Sequence, residues 1–183
     1  INTHKCLYRL QGHTGWVKSL VTDDNTHQII SGSGDKTIRI WDMNSMTCKM
    51  TLAGHVGGIT ALQCDEASLV SSSVDRTLRH WDRKTGQCLR VLHGHEYFVK
   101  TLEFREHALA SGGGDENILL WDLRSGKIGR QLAGNPQGVN VLQIVDDNTL
   151  LCGGSDGVVR SFALGSGQIT RKLNLNNGPI TAL

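Results

Sequence analysis

A Trp-Asp pair recurs at Trp41-Asp42, Trp81-Asp82 and Trp121-Asp122, 40 residues apart each time. A repeat at that spacing sets the architecture before any single residue does, because each unit must bury its apolar face against its neighbours. Two further markers travel with it. Gly-His pairs stand at Gly12-His13, Gly54-His55 and Gly94-His95, and an aspartate precedes each tryptophan by six residues, at Asp35, Asp75 and Asp115. A fourth unit is eroded: Gly134-Asn135 replaces Gly-His, Asp156 keeps the turn, and Phe162-Ala163 replaces Trp-Asp.

Between the markers the pattern has period two. Val17-Lys18-Ser19-Leu20, Ile59-Thr60-Ala61-Leu62, Val99-Lys100-Thr101-Leu102 and Val139-Asn140-Val141-Leu142 read as one strand met four times. Ile29-Ile30-Ser31-Gly32-Ser33, Thr37-Ile38-Arg39-Ile40-Trp41 and Cys48-Lys49-Met50-Thr51-Leu52 give the second, third and fourth strands of the first unit. Short alternating runs bounded by Gly and Asp turns predict antiparallel β-structure. The 22 glycines and 2 prolines suit a chain that turns often.

These residues resemble the WD-repeat (WD40) family over essentially the whole chain. The resemblance implies an all-β fold, a β-propeller of four-stranded antiparallel blades set radially around a channel. About four complete blades are expected, over 16–52, 58–92, 98–132 and 138–173. Residues 5–10 are expected as the outer strand of a preceding blade and 179–183 as the inner strand of a following one. Residues 1–183 are then one propeller domain or part of one. Propellers of this kind usually close with seven blades, so two open apolar sides are expected. Either a longer chain covers them, or two copies pair as a homodimer ring of about eight blades.

The resemblance also implies a buried hydrogen-bonded set in each blade: a His, a strand Ser, the turn Asp and the Trp. Four residues before each aspartate stand Ser31, Ser71, Ser111 and Cys152; two residues before stand Ser33, Ser73, Gly113 and Gly154. The unit that loses His and Trp also loses the farther Ser, which selects that position. The expected sets are His13-Ser31-Asp35-Trp41, His55-Ser71-Asp75-Trp81 and His95-Ser111-Asp115-Trp121. Blade 4 keeps Asp156 alone and is expected to pack more loosely.

Ser, His and Asp together invite a hydrolase reading. An active site is built once, whereas this trio recurs three times, so no catalytic residue is assigned. His93-Gly94-His95 lacks further metal ligands, and Gly112-Gly113-Gly114 lacks the Gly-Lys-Ser/Thr of a phosphate loop. No metal and no cofactor is expected. The net charge of +2 gives no footprint for nucleic acid, and no apolar run is long enough for direct membrane insertion. Cys6, Cys48 and Cys88 occupy equivalent places and are expected to be small buried hydrophobes. Their use predicts a reducing compartment: cytoplasm, nucleus, or an organelle surface reached through a partner.

Residues that break the repeat carry the functional expectation. Trp16, Gly58, Phe98 and Gly138 precede the inner strands, and Tyr97 adjoins Phe98. In the family that place lies by the narrow top rim, so Trp16, Tyr97 and Phe98 are candidate partner-binding residues, with Lys18 and Lys100 at the channel mouth. The blades look most like those of F-box ubiquitin-ligase substrate readers and of adaptors that recruit dynamin-type GTPases for mitochondrial fission. The expected function is a non-catalytic scaffold for other proteins or peptides, an organelle-division adaptor for example. The alternatives are a substrate reader of an F-box ligase and, from another class, an enzyme with its site on the rim. F-box readers of phosphorylated segments use Arg at the channel mouth, whereas Lys18, Thr60, Lys100 and Asn140 stand there.

Overall fold

The computed structural model describes residues 6–175 and 178–183, with sixteen strands in four separate antiparallel sheets. Blade 1 is β1 (Val17–Asp23), β2 (Gln28–Ser33), β3 (Ile38–Asp42) and β4 (Thr47–Leu52). Blade 2 is β5 (Ile59–Cys64), β6 (Ser68–Ser73), β7 (Leu78–Asp82) and β8 (Cys88–Leu92). Blade 3 is β9 (Val99–Arg105), β10 (Ala108–Gly113), β11 (Ile118–Asp122) and β12 (Lys127–Leu132). Blade 4 is β13 (Val139–Asp146), β14 (Thr149–Gly154), β15 (Val158–Ala163) and β16 (Ile169–Asn174). Each blade is a meander in which every strand pairs with the next.

A single twisted four-stranded sheet has no inside, so its apolar side chains must be covered by another layer. The core accordingly forms as three layers, each between two blades. Ile30, Ile38 and Leu52 of blade 1 meet Ile59, Leu62 and Trp81 of blade 2. Val70, Leu78 and Leu92 of blade 2 meet Val99, Phe104 and Trp121 of blade 3. Ala110, Ile118 and Leu132 of blade 3 meet Val139, Leu142 and Phe162 of blade 4. Small residues on the second strands make the close approach feasible. A Cβ on Gly112 would lie 2.4 Å from the Val139 side chain, and one on Gly32 would lie 2.5 Å from Ile59.

The two outer faces of the array lack that cover. Val17 and Leu20 are 49% and 59% exposed, whereas their counterparts Ile59 and Leu62 are 1% and 7%. Leu173 is likewise exposed, although Leu52, Leu92 and Leu132 at the same place are buried. Each exposed side chain forgoes part of the roughly 1.5–3 kcal/mol that full burial contributes. Residue 5 lies outside the described residues. Residues 6–10 and 179–183 pair in no sheet, because an isolated outer or inner strand has no neighbouring strand of its own blade to bond. Ile180 nevertheless packs toward Gly153 and its amide donates to the Gly154 carbonyl at 3.0 Å.

One interblade layer contains a polar latch that sequence reading missed. Two residues beyond each Trp or Phe stand Met43, Arg83, Leu123 and Leu164. The Arg83 guanidinium is buried and bridges blades 1 and 2. It donates to the Asp65 carbonyl at 2.7 Å, to Thr26 Oγ1 at 2.7 Å and to Gln28 Oε1 at 3.1 Å, and pairs with Asp23 at 2.5 Å. The Thr26 hydroxyl and Arg83 together bring the Asp23 carboxyl down to about 2.

The cysteines also depart from expectation. All five are free, and only Cys152 is fully buried; Cys6 and Cys88 are exposed and Cys48 is half-buried. Cys48 and Cys88 lie on outer strands, which have solvent on one side. Their sulfurs accept hydrogen bonds from Arg39 and Arg79 at 3.9 and 3.5 Å. Where blade 3 replaces the arginine with Leu119, the cysteine becomes Ile128, so the pair changes together.

Candidate functional site: the blade networks and the top rim

Each turn aspartate is presented by the loop between the second and third strands, facing the histidine that precedes the inner strand. In blade 1, His13 Nδ1 lies 2.8 Å from Asp35 Oδ2 and His13 Nε2 lies 2.7 Å from Ser31 Oγ, while the Trp41 indole donates to the same oxygen at 2.8 Å. Blade 2 joins His55, Asp75, Ser71 and Trp81 at 2.8, 2.9 and 2.9 Å. Blade 3 joins His95, Asp115, Ser111 and Trp121 at 2.6, 2.7 and 2.8 Å. The nearer serines do something else: Ser33 and Ser73 accept the amides of Asp35 and Asp75.

Donor counting fixes the direction of the chain. The indole can only donate and an ionised carboxylate can only accept. The Ser hydroxyl therefore receives the indole N–H and gives its own proton to His Nε2, and His Nδ1–H donates to Asp. Burial alone would raise Asp35 and Asp75, but hydrogen bonds from Thr37 and Thr77, and then from the histidines, hold both carboxyls well below the usual range. Asp115 is also lowered: burial pulls it up, and the His95 hydrogen bond and field together with the Glu96 amide pull it down further. Ser31, Ser71 and Ser111 are buried, and each oxygen is taken by a Trp and a His. They present no nucleophile to a substrate.

Blade 4 is rewired, and the residues in its Ser and Trp places, Cys152 and Phe162, stay buried. Cys152 Sγ lies 3.0 Å from Asn135 Oδ1, which takes the histidine's place, and burial pushes its thiol up to about 12. Arg160 occupies the place of Arg39 and Arg79. With no indole to lie against, it turns inward and forms an ion pair with Asp156. The sequence reading did not anticipate that replacement partner.

The candidate rim residues fall in two groups at the same end of the blades, on blades 1 and 3. Trp16 is 80% exposed, and its ring lies beside Gly34 of its own blade. Tyr97 and Phe98 are exposed beside Gly114. Lys18 is exposed. Lys100 sits 5.6 Å above the Phe98 ring and donates to Asn140 Oδ1 at 2.9 Å. Blade 2 reverses the pattern, with Gly58 before the inner strand and Val74 in the turn. Val74, Arg76, Glu96, Tyr97 and Phe98 line a cavity of about 450 Å³ between blades 2 and 3.

Residues 4–42, 46–82 and 86–122 match the family model of the WD domain, G-beta repeat. The chain belongs to the WD-repeat family. A probable E3 ubiquitin ligase complex SCF subunit sconB of Aspergillus clavatus is 46% identical over 50 residues, 27% of this chain and 7% of that protein. The sconB of Emericella nidulans is 40% identical over 55 residues, 30% of this chain and 8% of that protein. The pre-mRNA-splicing factor PRP46 of Debaryomyces hansenii is 43% identical over 51 residues, 27% of this chain and 12% of that protein. These alignments extend little beyond one repeat, and the WD-repeat chain spans a small fraction of each relative's length.

His55 of the blade 2 network and the half-buried His80 on β7 make this WD-repeat fold acid-sensitive. Burial holds His55 below its ordinary 6.5, against the pull of Asp75, and burial with the nearby Arg90 does the same for His80. The unfolded chain therefore binds these protons first. Stability is complete above about pH 6.5 and declines as pH falls toward the lowered folded values; the depressed aspartates extend the loss below about 4. Thermal melts from pH 8 to 4 are expected to show a plateau and then a falling midpoint. A midpoint that rises between pH 7 and 5 would contradict neutral, buried histidines.

Proposed function

We propose that the chain is a non-catalytic scaffold that docks partner proteins on its top rim, working in the cytoplasm or at an organelle surface. The carrying observation is Trp16. Three of the four tryptophans are buried in the blade networks, and the fourth is almost fully in solvent at the rim. Large aromatic side chains held at a rigid surface cost little conformational entropy when they bind, which makes them the usual anchors of an interface. Lys18, Tyr97, Phe98 and Lys100 complete the surface. The Ser-His-Asp trios contribute no catalytic group to it, because their polar atoms are consumed in the blades.

Trp16→Ala and Phe98→Ala are each expected to leave folding stability within about 0.5 kcal/mol of the parent while sharply reducing partner capture from cells. Unfolding of both variants would make these residues packing elements. Undiminished capture by folded variants would place the docking surface elsewhere.

A substrate-reading role in an F-box ubiquitin ligase is the second reading. The similarity to sconB subunits of SCF ubiquitin ligase complexes favours it. The absence of arginine at Lys18, Thr60, Lys100 and Asn140 weighs against reading of phosphorylated segments by these blades. Co-purification with a ligase core separates it from an organelle-division adaptor.

A further inference from the structure

We propose that the rim between Phe98 and Trp16 takes an extended acidic segment that seats one apolar side chain in the Val74–Tyr97–Phe98 cavity. The inference rests on the rim reading above and names the chemistry of its partner.

Three observations carry it. The first is shape. Aromatic posts rise on blades 1 and 3, while blade 2 between them has Gly57 and Gly58 at the corresponding places. An extended chain can cross that low saddle and meet both posts. The cavity at its blade 3 end, about 450 Å³, has apolar walls from Val74, Tyr97 and Phe98.

The second is charge. Lys18, Lys36 and Arg76 are exposed along the blade 1 and blade 2 part of the rim, and half-buried Lys100 lies over the Phe98 ring while bonded to Asn140. The exposed rim acids, Glu96 and Glu116, both belong to blade 3. The turn aspartates Asp35 and Asp75 are largely buried and turned toward the histidines inside the blades, so the charges that part of the rim exposes to solvent are the cations. The opposite end of the blades carries more acid, with Asp24, Asp65, Glu66, Asp146 and Asp147 exposed there against Lys84, Arg105 and Arg124. A net charge of +2 hides this division between the two ends. A cationic track beside an apolar cavity complements a chain that alternates acids with an apolar anchor.

The third is backbone strain. Lys36, Arg76 and Glu116 hold φ of 73°, 69° and 62°, and Gly157 holds 72° at the same place in blade 4. Glycine adopts that conformation freely and a long side chain does not. The turn therefore does not ask for Lys36 or Arg76. Arg76 spends one donor on the Glu96 carbonyl, at 3.3 Å, which orients the guanidinium along the cavity edge with further donors free for a carboxylate.

The test is panning of random peptides displayed on phage against the full 183-residue chain, followed by anisotropy titrations with the labelled winning peptides. Enrichment of peptides rich in Asp and Glu around one aliphatic or aromatic residue is expected. Phe98→Ala and Arg76→Glu should each weaken those peptides about tenfold or more, added salt should weaken them further, and Arg124→Glu at the opposite end should not. Neutral or basic winners that still depend on Phe98 would overturn the acidic class but leave the rim as a docking surface. Winners indifferent to both substitutions would overturn the inference. Self-association that displaces the peptides and is lost in Arg76→Glu would assign the track to the acidic end of a second copy, and also overturn it. If no peptide binds in a rim-dependent way, both this inference and the scaffold reading fail.

Discussion

Replacing Asp75 with alanine is expected to destabilise the fold by about 3 kcal/mol. The carboxylate accepts from His55 Nδ1–H and the Val56 amide on one oxygen, and from the Thr77 amide and hydroxyl on the other. Truncation leaves those donors facing a small, largely buried void. An unmade buried hydrogen bond costs about 1–3 kcal/mol, and more where a charge was the partner. The damage also travels, because His55 then loses the contact that fixes its tautomer toward Ser71 and the Trp81 indole. Blade 4 supplies the control. There Asn135 partners Cys152, Arg160 partners Asp156, and Phe162 is buried in place of the indole. The triple variant His55→Asn, Ser71→Cys, Trp81→Phe retains Arg79, which can then turn toward Asp75 as Arg160 turns toward Asp156. It should lose less than the sum of its three single changes. Urea denaturation of the four variants and of Asp75→Ala measures both effects. A loss of under about 0.5 kcal/mol in Asp75→Ala would show that the network is not energetically coupled to the fold.

Arg83→Ala is expected to cost a similar amount, about 3 kcal/mol, by a different route. The guanidinium ties together the Asp65 carbonyl, Thr26, Gln28 and Asp23 across two blades. Removing one member of a buried ion pair strands the other, which is the expensive case. Asp23 retains the Thr26 hydroxyl, and that moderates the loss. Because blades 1, 3 and 4 use Met43, Leu123 and Leu164 at this place, Arg83→Leu with Asp23→Ser should recover much of the stability. Thermal melts decide it: a double variant no better than Arg83→Ala would mean that the ion pair is worth more than the apolar contact its neighbours use.

The blades and their hydrogen-bonded sets were legible because each depends on residues at fixed offsets within one period. Ser31 could be chosen over Ser33 since the loss of His, Ser and Trp in blade 4 is joint. What escaped reading depends on residues brought together across blades or by one end of the array. Arg83 stands at a position that elsewhere holds a hydrophobe, and nothing local marks it as buried. Arg160 looks like Arg39 and Arg79 in sequence, yet the exchange of Trp for Phe162 sends it to a different partner. The Cys6, Cys48 and Cys88 reading failed for a related reason. Equivalence in the repeat placed Cys48 and Cys88 on outer strands, which are covered on only one side, while Cys6 lies in a segment that pairs in no sheet. The rim cavity joins Val74 of one blade to Tyr97 and Phe98 of the next, and neither blade shows it alone.

The placement of the apolar layers between blades has a consequence for how the molecule comes apart. The cooperative unit is the seam, and a blade by itself has almost nothing to hold it. In the 183-residue chain taken by itself, opening propagates like a zip from blade 1 or blade 4, with one seam released at a time. The seam between blades 2 and 3 can be lost only after another has opened or by splitting the array in half. Residues on either side of it should be the last to exchange their amide hydrogens with solvent. The cavity bordered by Val74 and Phe98 lies at the end of that same seam, so the proposed docking place sits on the most persistent part of the fold.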